Sequence, residues 1–352
     1  MEVQFLQAEY GDAIIIRTVA GDKPFTIVVD GGPESTADEI AQQLVELGHI
    51  DLLVLTHFDE DHILGLIKYV ELFKDKPLPV DRFWCNCAQK IDFEQDTLIS
   101  EARYENANTL AEYLREQAKQ NTSFVWTESV DTTTASINLG DLQIHVLSPS
   151  ETILSELKAG YDEYAESHGW FDKEEEEDTE IALVNNNPDK DMTIDELAKT
   201  DTRRNVNLWN KASIAFLLQA EGEKLLMLGD ADAGVVADGL EALYGKNSVT
   251  CIDLVKLSHH GSKHNISKRL LSLINCNKYI ISTNGGDINF CHPDRKTLAL
   301  ILRSVNRDKN TPISFYFNYP VKDIEKRTGV LLSAQEQNNE NCVIVENNTI
   351  EL

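Results

Sequence analysis

The sequence predicts an α+β fold in four layers, an αβ/βα sandwich. Three observations predict it. Short apolar runs end in polar loops that lead into amphipathic helices. This pattern occurs in both halves of the chain. Each half also opens on a β-rich stretch, so the order is β-rich, α/β, β-rich, α/β, as two similar packed halves would give.

The elements follow in order. Val3 to Leu6, Ala13 to Thr18 and Phe25 to Val29 read as strands, the last ending in the turn Asp30-Gly31-Gly32-Pro33. Thr36 to Leu47 predicts a helix with Ile40, Leu44 and Leu47 on one face. Asp51 to Thr56 is an apolar strand that runs into HFDEDH, with a helix expected from Leu64 to about Lys74. A strand at Val80 to Cys85, a helix at Asn106 to Gln120 and a strand at Gly140 to Leu147 come next. Residues 150 to about 205 carry EEEED and NNNPDKD and few apolar positions, so a solvated insertion or lid is expected. Ala212 to Gln219 and Lys224 to Leu228 predict a hairpin that leads into Gly229-Asp230-Ala231-Asp232 and a helix. The strand Ile252 to Leu257 ends at SHHGS, and Tyr279 to Thr283 is a further strand before Cys291-His292-Pro293. The expected organisation is a domain over 1–310 and a β-rich extension over 311–352.

Composition narrows the function. Of 352 residues, 42% are hydrophobic and 26% charged, which suits a globular chain with a sizeable core. No run of about 18 apolar residues is present to span a membrane. No signal peptide is visible, and six Cys in a chain this long fit a reducing compartment, so a cytoplasmic location is expected. Fifty-nine acidic residues against 32 basic give a net charge of −27, which argues against a broad polyanion-binding surface. A metal site acting on a phosphate or ester is still compatible, because an ion brings its own local charge.

Three polar loops carry the chemistry, and each follows a predicted strand. The first, His57-Phe58-Asp59-Glu60-Asp61-His62, can turn His57, Asp59, Asp61 and His62 inward. The second holds Asp230 and Asp232, the third His259 and His260. Imidazole and carboxylate donors suit Zn²⁺ and its harder neighbours. One such loop is weak evidence; three at strand ends in one chain form a candidate metal site.

THFDEDHILGL resembles the HxHxDH loop of the metallo-β-lactamase superfamily. LLMLGDAD is similar to its bridging-aspartate motif and KLSHHGSKH to its last histidine motif. The spellings GDAD, LSHHGS and CHPDRKTL look like the branch that holds the hydrolase domain of ComEC-type DNA-uptake proteins and the phosphorylcholine esterases. The likeness covers about residues 1–300. It implies the four-layer metallo-β-lactamase sandwich and one or two Zn²⁺, with Mn²⁺ as an alternative. His57 would bind the first metal, Asp61 and His62 the second, and Asp230 would bridge them. One histidine of the His259-His260 pair would complete the second site; with His260 in that place, His259 would contact substrate or orient a ligand, and the sequence leaves the choice between the two open. Asp61, Asp230, His259 and His292 are the catalytic candidates.

Two departures from the family pattern stand out. Asp59 occupies the place of a second His and would make the first site harder. The third family His is absent, and Asn205 to Ser213 stands there instead, so one firm and one loose metal are expected. Asp30 is placed behind a ligand, Asp232 either at a helix N-cap or behind a ligand, and Lys263 with His264 on a cationic rim. His145, His168 and the Cys85-Asn86-Cys87 pair are read as outside the chemistry. The function expected is hydrolysis of a phosphodiester, as by a phosphodiesterase or nuclease, through a metal-bound hydroxide. Alternatives are an ester, lactone or amide hydrolase, or a weakened member that binds a partner. Nucleic acid, if the substrate, would need a basic partner protein.

Overall fold

The computed structural model describes residues 1–86, 100–166, 189, 191–202, 206–286 and 291–352. The calls on Cys87, His168 and Asn205, and most of the EEEED and NNNPDKD stretch, lie outside them. The strands build two large sheets. The first is formed by β1 (Glu2–Phe5), β2 (Ile14–Ala20), β3 (Lys23–Val29), β4 (Ile50–Val54), β5 (Val80–Trp84) and β6 (Val125–Thr127), with β17 (Thr349–Glu351) on the outer edge of β1. The second runs in the order β16 (Cys342–Glu346), β15 (Ile313–Phe317), β14 (Lys278–Ile281), β12 (Leu254–Lys256), β10 (Glu223–Met227), β9 (Ala215–Ala220), β8 (Leu142–Ser148) and β7 (Ile137–Leu139). Residues 313–351 thus supply strands to both sheets.

Alternation of side chains along the strands builds the layers. Ile14 and Ile16 of β2, Ile27 and Val29 of β3, and Leu52 and Val54 of β4 point inward. There they meet Phe216 and Leu218 of β9 and Leu254 of β12 in a core between the sheets. The residues between them face the other way. Ile15, Val28 and Leu53 pack under helices α1 (Glu34–Glu46), α2 (Glu60–Glu71) and α3 (Ser100–Gln120). Leu217 and Val255 pack under α7 (Ala233–Tyr244), α8 (Lys268–Leu273) and α9 (Arg295–Leu302). The fold is therefore α+β, with a helical layer on each outer face.

Three local results differ from the sequence expectation. Helix α2 begins at Glu60, four residues early, so Asp61 and His62 lie in its first turn and not in a loop. Asp59 stands at the N-cap, and Glu60 and Asp61 suit the positive end of the helix. Strands β6 and β7 are only three residues each, too short for a periodic signal. The flanks of the acidic stretch are not solvated: Leu154 and Leu157 enter the core beneath the first sheet's helices, and Ile194, Leu197 and Ala198 join the second sheet's outer core.

Two glycines bring the site's supports together. A side chain on Gly65 of α2 would come 1.9 Å from the Gly31 carbonyl, and one on Gly31 would come 2.4 Å from the Leu66 amide nitrogen. Only glycines let α2 lie directly on the Asp30-Gly31 turn.

Candidate metal centre

The polar side chains gather at the carboxyl ends of neighbouring strands, where an α/β sheet presents its loops. Asp30 follows β3, His57 follows β4, Asp230 follows β10 and His259-His260 follow β12. Strands β3, β4 and β5 are parallel, as are β10, β12 and β14, so these ends converge on one edge of the sandwich.

Hydrogen bonds behind the imidazoles set their direction. Asp30 is fully buried in the left-handed region, with φ 60°. Its Oδ1 accepts from the Thr56 amide at 2.7 Å, and its Oδ2 accepts from the Thr56 hydroxyl and from His62 Nδ1, both at 2.8 Å. An ionised carboxylate only accepts, so His62 carries its proton on Nδ1. Thr56 gives its one proton to Asp30, so its oxygen accepts from His57 Nδ1 at 3.1 Å. His260 Nδ1 donates to the Ser282 carbonyl at 2.8 Å. Each ring is held from behind, and the Nε2 atoms of His57, His62 and His260 are buried without a hydrogen-bond partner.

These nitrogens face carboxylates. Asp230 Oδ2 lies 3.8 Å from Nε2 of His57, of His62 and of His259. Asp59 Oδ2 is 3.6 Å from His57 Nε2. Asp61 Oδ2 is 3.5 Å from His62 Nε2 and 3.4 Å from His260 Nε2. Such distances are at or past the end of hydrogen bonding. They match donor pairs on a shared ion: two donors each about 2.1 Å from a tetrahedral metal lie about 3.4 Å apart. His57 and Asp59 lie together on one side, and Asp61, His62 and His260 on the other; Asp230 stands between them, with His259 reaching its Oδ2 as well. Asp59 makes no side-chain capping bond to α2, although it occupies the N-cap, whereas Asp232 caps α7 through the amides of Gly234 and Val235 at 2.7 and 3.2 Å.

Electrostatics of the protein alone fit a cation site. Burial opposes charge on Asp230 and Asp61, but the surrounding histidines outweigh it and hold both below the usual carboxylate range. Burial likewise opposes charge on His62 and His260. Asp61, Asp230 and Asp30 outweigh it for His62, and Asp12, Asp61 and Asp230 for His260, so both are raised. Partial burial, helped by His292 and His260, pushes His259 down to about 4 against the pull of Asp230. The two upward shifts, of His62 and His260, mark a centre whose carboxylates favour added positive charge at the rings.

The backbone that carries the histidine pair is unusual. His259 and His260 both adopt left-handed conformations, with φ 47° and 53°. Each costs of order 1 kcal/mol for a residue with a Cβ. This kink directs two consecutive rings to the same centre.

Sequence reasoning missed Asp12 and Lys256, and it reached Asn210 only as part of the stretch in the third histidine's place, without giving it a role. Asp12 is buried and paired with the fully buried Lys256, whose ammonium also donates to the Gly229 carbonyl at 3.2 Å. Asp12, His62, Asp230 and His260 offer donor atoms within 4.8 Å of one another. Asp12 Oδ1, however, lies 3.8 Å from His260 Nδ1, the nitrogen turned towards Ser282, so it stands behind the ring. Its Gly11-Asp12 turn is an ordinary strand connection, and only the tertiary fold places it here. His292 lies with its ring centre 5.2 Å from that of His259, and its Nδ1 is 3.5 Å from Asp294. Lys263 Nζ is 3.6 Å from the same carboxylate. His145 sits on β8 beside Ser136 at 2.7 Å, remote in sequence and contact from these residues.

Four layers with a histidine–aspartate cluster at one edge define a metallo-β-lactamase fold. The family described as the metallo-beta-lactamase superfamily matches residues 8–129, which span the strands and loop from Asp12 to His62. No curated protein matches the chain. Similar solved structures include Zn²⁺-bound PqqB from Methylobacterium extorquens, 11% identical over 100% of both chains with a TM-score of 0.42. The metallo-β-lactamase-fold protein YhfI from Bacillus subtilis is 9% identical over 100% of this chain and 98% of that one, with a TM-score of 0.42. A diphosphatase of the PhnP family is 11% identical over 100% and 97%, with a TM-score of 0.41. At these identities none of them speaks to activity. Among the described residues no helix is long and apolar enough to cross a membrane.

Proposed function

We propose that the protein is a two-metal hydrolase of phosphodiesters. One observation carries the reading: a single oxygen of Asp230 lies equally far, 3.8 Å, from three imidazole Nε2 atoms. His57, Asp59 and His259 would hold one divalent ion and Asp61, His62 and His260 the other, with Asp230 shared. Such ions supply Lewis acidity and lower the pKa of water towards neutrality. Asp59 in place of an imidazole favours a harder ion at the first position, Mn²⁺ over Zn²⁺.

The chain's own groups do the rest. Asp30, Thr56 and Ser282 keep the rings aimed inward, which removes reorganisation from the reaction. Asp230 fixes the spacing of the two halves of the centre. His292, oriented by Asp294, would hold a proton for the departing oxygen, and Lys263 adds positive charge on that side. The motif spellings GDAD and LSHHGS support the phosphodiester class, and the acidic surface supports delivery of a nucleic-acid substrate by a basic partner.

The test is elemental analysis of gently purified protein, followed by hydrolysis of bis(p-nitrophenyl) phosphate with Zn²⁺ or Mn²⁺. Bound metal and turnover are expected, with turnover lowered at least ~100-fold in Asp230→Ala and unchanged in His145→Ala. Failure to take up either metal would sink the proposal. Metal uptake with activity only on carboxylic esters or lactones would move the substrate class and keep the centre.

A further inference from the structure

The superfamily's third histidine is absent, and the short segment in its place is wired into the centre at three points. The Ile214 amide donates to the Thr56 carbonyl at 2.9 Å. Ser213 Oγ accepts from the Asp230 amide at 3.0 Å. The side-chain nitrogen of Asn210 lies 3.4 Å from His259 Nδ1. Asn210 is only 4% exposed, and its Oδ1 has no hydrogen-bond partner. Its backbone is fixed within α6 (Leu208–Lys211), because the Asn207 side chain caps the Asn210 amide at 2.8 Å and the Asn210 carbonyl accepts from Ser213 at 3.0 Å. The amide is therefore delivered to one ring edge.

The other three imidazoles show what that contact does. Thr56 backs His57, Asp30 backs His62, and the Ser282 carbonyl backs His260, each on Nδ1, which leaves Nε2 for the centre. His259 follows the same plan: Nδ1 towards Asn210, Nε2 towards Asp230. A terminal amide turned by half a rotation exchanges its oxygen and nitrogen in place. In that orientation Oδ1 accepts from His259 Nδ1–H and Nε2 is left as a donor atom for a metal.

We propose that Asn210 is a positioning residue that holds His259 with its proton on Nδ1, and so makes His259 the donor that replaces the missing histidine at the first metal position. The inference rests on the two-metal reading above. His259 keeps 30% of its side chain exposed, more than His57, His62 or His260, so its orientation depends most on this one contact. The first position is then completed from the segment that carries the family's histidine elsewhere, but through a neighbour and not through a direct bond.

The experiment titrates chelator-treated protein with Zn²⁺ and with Mn²⁺ by calorimetry and reads the His259 ring by long-range ¹H–¹⁵N NMR in the Zn²⁺-loaded protein. Wild type should bind two ions, with His259 protonated on Nδ1. Asn210→Ala should bind one ion as tightly as wild type and the other ~10- to 100-fold more weakly. Asn210→Asp, which keeps an acceptor, should restore the second ion. Equal affinity for both ions in Asn210→Ala, or a proton on His259 Nε2 in the loaded wild type, overturns the proposal while leaving the two-metal centre standing. Wild-type protein that binds no ion overturns both. The wild-type ring measurement needs no variant, so it decides the matter even if Asn210→Ala does not fold.

Discussion

Replacing Asp30 by Asn separates the placement of protons from the shape of the site. Asn has nearly the size of Asp and tolerates the left-handed backbone at φ 60°, so the turn itself is not disturbed. The carboxylate accepts three hydrogen bonds, one at Oδ1 and two at Oδ2, whereas the amide has one accepting atom. With its nitrogen at the Oδ1 position the amide opposes the buried Thr56 N–H, donor against donor, which costs about 1–3 kcal/mol. With its nitrogen at the Oδ2 position it satisfies every group only if His62 Nδ1 becomes an acceptor and its proton moves to Nε2. The Thr56 hydroxyl then turns to donate to His57 Nδ1, and that proton also moves to Nε2. The metal-free variant can adopt this arrangement with little loss of stability. A metal cannot bind it, so entry forces the amide back to the costly orientation. The penalty of about 1–3 kcal/mol corresponds to about 5- to 150-fold weaker metal binding. Competition against a fluorescent zinc chelator measures the affinity, and thermal melts in chelator measure the metal-free stability. Wild-type zinc affinity in Asp30→Asn would refute the assignment of protons behind His57 and His62.

Two further outcomes follow from buried or bridging charges. Lys256→Met leaves Asp12 as an uncompensated buried charge and should cost about 3–5 kcal/mol in urea unfolding of chelator-treated protein; Asp12→Asn added to it should recover most of that, and a single variant within 1 kcal/mol of wild type would contradict the pairing. Burial opposes charge on Glu336, but Arg295 and the Ser333 cap outweigh it and hold it at about 2 against an ordinary 4.5. Its folded value is depressed, so its contribution is present above pH 4.5 and fades as pH falls towards 2. With 25% of the Glu336 side chain in solvent, screening leaves about 1 kcal/mol of it. Glu336→Gln should be that much less stable than wild type at pH 6, and the gap should shrink by pH 3, a trend that chemical denaturation at the two values can check.

What was legible in the chain was local. Alternation in Ile14-Ile15-Ile16 and in Leu52-Leu53-Val54 reports two buried faces, because successive side chains of a strand must point apart. HFDEDH, GDAD and SHHGS were readable as polar loops at strand ends, and the structure brings His57, Asp59, Asp61, His62, Asp230, His259 and His260 together at one edge. Asp12 and Lys256 were not readable, and Asn210 was readable only as part of the stretch in the third histidine's place, not as a contact of His259. Asp12 meets Lys256 across more than two hundred residues, and nothing near either residue marks it. A lysine at the end of an apolar strand resembles an exposed terminus, although Lys256 is enclosed. Asn210 lies in a four-residue helix, too short for a periodic pattern. The start of α2 was misplaced because the acidic residues that stabilise a first helical turn are also those expected of a metal loop.

The division of the donors between the two sheets sets a timetable for biosynthesis. His57 to His62 leave the ribosome roughly 200 residues before His259 and His260. At about 5–20 residues per second the first group waits on the order of 10–40 s for the second. Throughout that interval Asp61 and His62 have neither Asp230 nor His260 beside them, and the outer strand of the first sheet, β17, does not yet exist to pair with β1. The growing chain therefore presents only a partial and weakly holding set of donors to the metals of the cell. On the two-metal reading, loading would belong to the finished fold, and competition among ions would be decided by the completed geometry and not by whichever ion reaches the first loop.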